Sequence, residues 1–104
     1  MGRESITAGE LRDRAGTTIV DIRKNPDDRQ IPGSLRLDGA ALESAAPPFP
    51  KDERVVLYCG SGNSCSRIAA SLRGRGYDAV ALEGGYAAWK EAELPTEPRP
   101  PSSS

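Results

Sequence analysis

The sequence predicts an α/β domain built on a mainly parallel sheet with helices on both faces. Three observations lead there. Short runs of β-branched and aliphatic residues recur at 17–22, 54–58 and 79–82. Segments of helical pattern alternate with them at short spacings, the signature of parallel strands joined by crossovers. A chain of 104 residues is long enough for one modest core and too short for two.

In chain order, Thr7-Ala8-Gly9-Glu10 matches a capping box with Leu11 on the apolar side, so a short helix is predicted over 7–14. Residues 17–22 form a buried strand. The polar stretch 23–30 contains Asn25-Pro26 and is expected to be loop. Ile31-Pro32-Gly33-Ser34 turns into a short strand, Leu35-Arg36-Leu37, and residues 40–45 have room for a helical turn or two. Pro47, Pro48 and Pro50 forbid regular structure before the strand at 54–58. Residues 59–64 are a glycine- and serine-rich turn. A helix follows over 64–73, with Cys65, Ile68, Ala69 and Leu72 as its apolar stripe and Gly74 and Gly76 as its stop. Arg73 and Arg75 are expected on a solvated face. The strand at 79–82 leads through Gly84-Gly85, a tight strand-to-helix turn, into a last helix over 86–92, where Tyr86, Ala88 and Trp89 pack. The single domain is expected to end at residue 94. Residues 95–104, rich in proline and serine, are expected to be a mobile tail.

Composition narrows the chemistry. The charged fraction is 28% with a formal net charge of -1, so no basic excess points to nucleic acid. The longest apolar run, Val55-Val56-Leu57-Tyr58-Cys59, is too short to span a bilayer. Met1-Gly2-Arg3-Glu4-Ser5 has no apolar stretch after its positive charge, so a secretory signal is not expected and the reducing cytoplasm is the expected compartment. With zero histidines there is no Cys-His or Ser-His pair and no His metal ligand, and two cysteines make a poor zinc site. No metal or other cofactor is expected. Catalysis would have to run on a thiol, carboxylates, arginines, hydroxyls and backbone dipoles.

Cys59 stands at the carboxyl end of the best strand, immediately before a helix, where ligands bind in parallel sheets. By position alone it reads as a small buried hydrophobe. The segment after it reverses that reading. Gly60 and Gly62 let the backbone curl and turn its N–H groups inward. Ser61, Asn63 and Ser64 add short polar groups and helix caps, and the loop closes at Cys65. With the helix N-terminus these form an anion cradle, in which a thiol is lowered in pKa and reacts as thiolate. Arg67 is placed to add a positive charge. Cys65 itself lies on the apolar stripe, so packing is its first reading and a resolving thiol the sharper one.

Four pieces now resemble the rhodanese family of sulfurtransferases: Val20-Asp21-Ile22-Arg23, Ile31-Pro32-Gly33-Ser34, Val56-Leu57-Tyr58-Cys59 with its six-residue loop, and Leu82-Glu83-Gly84-Gly85-Tyr86-Ala87-Ala88-Trp89. They occur in family order and cover roughly residues 6–95. The resemblance implies a three-layer α/β sandwich with about five short strands. It also implies double displacement: the Cys59 thiolate takes sulfane sulfur from a small donor, thiosulfate or a persulfide, and passes it to cyanide or a thiol, which can belong to a protein. The family often has a basic residue at the fifth position after the cysteine and Ser at the sixth. This chain has Ser64 and Cys65, which weakens thiosulfate as the donor and leaves the backbone cradle intact. Gln30, where the family commonly has His, reads as structural.

Asp21 and Arg23 read as a structural charge pair or loop anchor. Two other functions compete with sulfur transfer. One is a non-catalytic interaction or regulatory module, or a redox sensor using Cys59 and Cys65. The other is a thiol phosphatase or arsenate reductase. That chemistry wants an arginine with five residues between it and the cysteine, to grip an oxyanion through two nitrogens. Cys65 holds that position, and Arg67 lies two residues later.

Overall fold

The computed structural model describes residues 5–14, 17–23, 28–44, 47, 49–60 and 63–98, with the backbone alone at 43, 63 and 64. Along the chain lie β1 (Ser5–Ile6), α1 (Ala8–Arg12), β2 (Thr18–Asp21), β3 (Arg29–Gln30), β4 (Leu35–Arg36), α2 (Gly39–Ser44), β5 (Val55–Tyr58), α3 (Asn63–Gly74), β6 (Ala79–Leu82), α4 (Gly85–Glu91) and β7 (Glu97–Pro98). Five strands form one parallel sheet in the order β1-β6-β5-β2-β4. The predicted strands are all present. The sequence did not locate β1, because two residues offer no periodicity to read. Parallel pairing of Ser5 with Ala81 and Ile6 with Leu82 holds it.

Side chains alternate across a strand, so a sheet covered on both faces carries continuous apolar strands. In β5, Val55 and Leu57 enter one core with Leu42 of α2 and Cys65, Ile68, Ala69 and Leu72 of α3. Val56 and Tyr58 enter the other, with Ala8 and Leu11 of α1 and Tyr86 and Trp89 of α4. The predicted stripe of α3 therefore packs as expected, and burying Ile68 and Leu72 contributes about 1.5–3 kcal/mol each. The capping box at α1 is formed: the Thr7 hydroxyl accepts from the Glu10 N–H at 3.2 Å, and the Glu10 carboxylate accepts from the Thr7 N–H at 3.2 Å. Among the described residues, no helix is long and apolar enough to cross a membrane.

Two expectations are corrected. Arg73 and Arg75 are half-buried, not spread on a solvated face. Arg73 donates to the Ala79 carbonyl at 2.9 Å and Arg75 to the Leu42 carbonyl at 2.7 Å, so their apolar stems lie along the domain while their heads bind backbone. The polar stretch 23–30, expected to be loop, ends in a strand. Trp89 Nε1 donates to the Pro95 carbonyl at 2.8 Å, and β7 pairs antiparallel with β3 inside the stretch expected to be loop. Arg29 donates to the Thr96 carbonyl at 2.6 Å. The Glu97 carboxylate accepts from Gln30 Nε2 at 2.7 Å and from the Gly33 N–H at 3.1 Å. Four polar residues give no hydrophobic signal; side-chain hydrogen bonds define this clasp. Residues 99–104 lie outside the described residues.

Candidate active site

β5 sits between β2 and β6, so its carboxyl end opens at the middle of the sheet edge, where Cys59 follows Tyr58. The main chain there is pinned on both sides. The Tyr58 carbonyl accepts from the Ile22 N–H at 3.0 Å, and the Cys59 carbonyl accepts from the Tyr86 N–H at 2.7 Å. The Gly60 carbonyl accepts from the Ala87 N–H at 3.1 Å. These two N–H groups belong to the first turn of α4, where a helix has donors to spare. Gly84, at φ 73, makes the turn that aims them. A Cβ at Gly84 would also lie 2.6 Å from the Ala88 Cβ.

With its carbonyl turned toward α4, the Cys59 side chain lies beside the start of α3. The Cys65 N–H donates to the Cys59 sulfur at 3.4 Å. Both cysteines are free. Cys59 is 6% exposed and Cys65 fully buried. The Cys65 thiol hydrogen-bonds to the Cys59 sulfur as well; that bond, burial and the charge of a Cys59 thiolate all push the Cys65 thiol far above the ordinary cysteine range. Cys65 is thus held protonated against Cys59. Its sulfur also lies 3.9 Å from the Leu82 carbonyl, a second acceptor for the same proton.

Of the predicted loop, Gly60 and Cys65 lie against Cys59 in the way described. Asn63 and Ser64 are the first two residues of α3. Ser61 and Gly62 lie outside the described residues. Arg67 is the fifth residue of α3 and its side chain is exposed.

Behind the cysteine lies a buried polar layer. Arg23 Nη2 meets Asp21 Oδ2 at 2.8 Å and Arg23 Nε meets Oδ1 at 3.0 Å, with side chains 5% and 0% exposed. The charge pair read from the sequence is present. The guanidinium also lies 4.2 Å from the Tyr86 ring centroid and donates to the Arg29 carbonyl at 2.8 Å. The Tyr58 hydroxyl meets Ser34 Oγ at 3.0 Å and accepts from the Ile31 N–H at 3.3 Å. Burial, with a contribution from the Asp21 charge, pushes the Tyr58 hydroxyl up to about 12, although the Ser34 hydrogen bond opposes the shift.

The sequence missed two parts of this site. The N–H groups of Tyr86 and Ala87 hold the cysteine loop from outside its own segment; Gly84-Gly85 ahead of a helix was their only signal. The Cys65 thiol packs as expected, yet also touches Cys59, because the start of α3 turns the stripe's first residue toward the strand end.

Residues 7–92 match the model of the Rhodanese-like domain family. The chain is 36% identical over 94 residues to the thiosulfate sulfurtransferase GlpE of Ectopseudomonas mendocina, covering 86% of this chain and 84% of that one. Among solved structures it is similar to the rhodanese-like domain of an Anabaena protein, with TM-score 0.79, 26% identity and coverage of 99% of this chain and 88% of that one. It is also similar to a Rhodopseudomonas palustris protein described as a possible tyrosine phosphatase, with TM-score 0.76, 29% identity and coverage of 90% and 84%. Other curated relatives are longer: the chain spans 52% of an uncharacterised Synechocystis protein and 14% of the tRNA sulfurtransferase of Desulfurococcus amylolyticus.

Proposed function

The chain belongs to the rhodanese-like domain family, and from that premise we propose that it is a sulfurtransferase whose Cys59 carries sulfane sulfur as a persulfide. Relatives named as sulfurtransferases support a function of that general kind. In the first half-reaction the Cys59 thiolate attacks the outer sulfur of the donor. With thiosulfate, the S–S bond breaks, sulfite leaves with the electron pair, and Cys59–S–S⁻ remains. In the second, cyanide or a thiolate attacks the outer sulfur and Cys59 leaves as thiolate.

The observation that carries this reading is the Cys65 N–H on the Cys59 sulfur at the start of α3. A donor there stabilises negative charge on sulfur in the thiolate and in the persulfide. In this proposal the first N–H groups of α3 complete the cradle, and Arg67 draws the anionic donor in from solvent. A persulfide donor suits the site better than thiosulfate, because Ser64 stands where the family often carries a basic residue. Two free thiols suit a reducing cytoplasmic setting, which also supplies acceptor thiols. Phosphatase chemistry is the weaker reading: buried Cys65 occupies the position its arginine would need, and Arg67 lies two residues beyond.

The test is intact mass. The protein is incubated with thiosulfate and, separately, with a low-molecular-weight persulfide. Sulfur taken up by wild type and absent in Cys59→Ala supports the reading. No uptake from either donor, together with turnover of an aryl phosphate, would overturn it.

A further inference from the structure

Cys65 stands in an unusual place for a second thiol: fully buried, in the same core as Cys59, with both its N–H and its thiol directed at the Cys59 sulfur. A hydroxymethyl side chain is close to that of Cys65 in size. A thiol there brings a reaction that a hydroxyl cannot perform. We propose that Cys65 discharges the Cys59 persulfide within the same molecule, releasing hydrogen sulfide and leaving a Cys59–Cys65 disulfide. The proposal rests on the persulfide reading above and gives that site a second outlet.

The step balances without an outside oxidant. Cys59–S–S⁻ and Cys65–SH become Cys59–S–S–Cys65 and HS⁻. The Cys65 sulfur forms a bond to the inner sulfur, the bond between inner and outer sulfur breaks, and the outer sulfur leaves with that electron pair and the Cys65 proton. The sulfane sulfur is reduced by two electrons, and the two cysteines are together oxidised by two. A dithiol reductant then returns the pair to free thiols.

Geometry selects this outcome over sulfur relay. Attack on the outer sulfur would move the sulfane atom to Cys65 and release Cys59. Attack on the inner sulfur expels the outer one as hydrosulfide, which carries away the Cys65 proton. The Cys65 N–H meets Cys59 Sγ at 3.4 Å and the Cys65 thiol interacts with the same sulfur, which becomes the inner sulfur once the persulfide forms. The protonated state of Cys65 does not block the step, since its proton is the one the departing sulfide takes. It does make the step slower than capture by a free thiolate, so acceptors compete for the loaded enzyme and sulfide release dominates when they are scarce.

Loading with a polysulfide donor, removal of excess donor, and incubation without added thiol tests this. Wild type should release about one sulfide per chain while its mass falls from the persulfide value to that of a disulfide, two hydrogens below the reduced protein. Cys65→Ser, which keeps the backbone N–H, should hold the added sulfur and release none. Cys65→Ala should do the same, and circular dichroism of both variants checks that they fold. A wild-type persulfide that persists without sulfide release, while Cys65→Ser also holds its sulfur, overturns this proposal and leaves Cys59 as a sulfur carrier. Added sulfur mapping to the Cys65 peptide overturns it in favour of relay. Failure of every variant to take up sulfur overturns both readings together.

Discussion

Replacing Arg23 by methionine would strand Asp21. In the folded protein Asp21 is fully buried, and the guanidinium meets both of its carboxylate oxygens at 2.8 and 3.0 Å. Removing one partner of a buried pair costs about 3–5 kcal/mol, chiefly because the remaining charge stays desolvated. One contact survives, since the Arg23 backbone N–H still donates to Asp21 Oδ1 at 3.0 Å. That places the electrostatic loss toward the lower end of the range. Losing the guanidinium over the Tyr86 ring, 4.2 Å from its centroid, adds about 0.5–2 kcal/mol. A net destabilisation of about 3–5 kcal/mol follows. At roughly 4–8 °C per kcal/mol for a domain of this size, Tm should fall by at least about 12 °C. Urea unfolding at neutral pH measures the loss, and a double-mutant cycle with Asp21→Asn isolates the pair. The double variant should be at least about 2 kcal/mol more stable than the summed single effects imply, because it leaves no lone buried charge. Strict additivity, or an Arg23→Met cost below about 1 kcal/mol, would refute the account.

Two further predictions concern the residues around the cysteine. The Tyr58 hydroxyl, pushed from 10.0 up to about 12 mainly by burial, stays protonated in the folded state where the unfolded chain has begun to ionise. Its contribution is therefore complete below pH 10 and is lost as pH rises toward 12, by about 2–3 kcal/mol at 1.36 kcal/mol per unit. The stability difference between wild type and Tyr58→Phe should shrink by that amount over this window and stay flat from pH 6 to 9; a flat difference throughout would count against it. Gly84→Ala forces a side chain into φ 73 and 2.6 Å from the Ala88 Cβ. It should cost about 1–3 kcal/mol by denaturant unfolding. It should also slow persulfide formation, because the Tyr86 and Ala87 N–H groups would no longer meet the Cys59 and Gly60 carbonyls. Unchanged stability and rate would show that α4 does not hold the loop.

The parts of the fold legible in the sequence are those with repeated signal. β5 and β6 read clearly because central parallel strands are apolar on both faces, and α3 because Cys65, Ile68, Ala69 and Leu72 repeat at helical spacing. Thr7 and Glu10 marked the start of α1 through chemistry rather than pattern. What escaped is short or polar. β1 is two residues, fixed by its partner β6. The β3–β7 clasp is made by Arg29, Gln30, Thr96 and Glu97, residues that composition assigns to solvent. For the site, the strand-end cysteine and its glycine-rich turn were visible because they are contiguous. The support from α4 was not, since Tyr86 lies 27 positions beyond Cys59 and contributes a backbone N–H, a group every residue except proline possesses.

The four sequence pieces that mark the family are separated along the chain and joined in space through Tyr58 and Cys59. Ile31 and Ser34 bind the Tyr58 hydroxyl. Tyr86 binds the Cys59 carbonyl through its N–H, and Arg23, anchored on Asp21, lies against the Tyr86 ring. Each piece is weak as a motif because each supplies one contact. Their order is specific because the contacts converge on one strand end. The same logic assigns different tolerances to the two cysteines. Cys59 is the point on which the contacts converge. Cys65 contributes its N–H whatever its side chain, so a hydroxyl can replace its thiol and leave that hydrogen bond to the Cys59 sulfur in place. In the proposed chemistry, a thiol at that position then changes what becomes of the sulfur rather than whether sulfur is taken up.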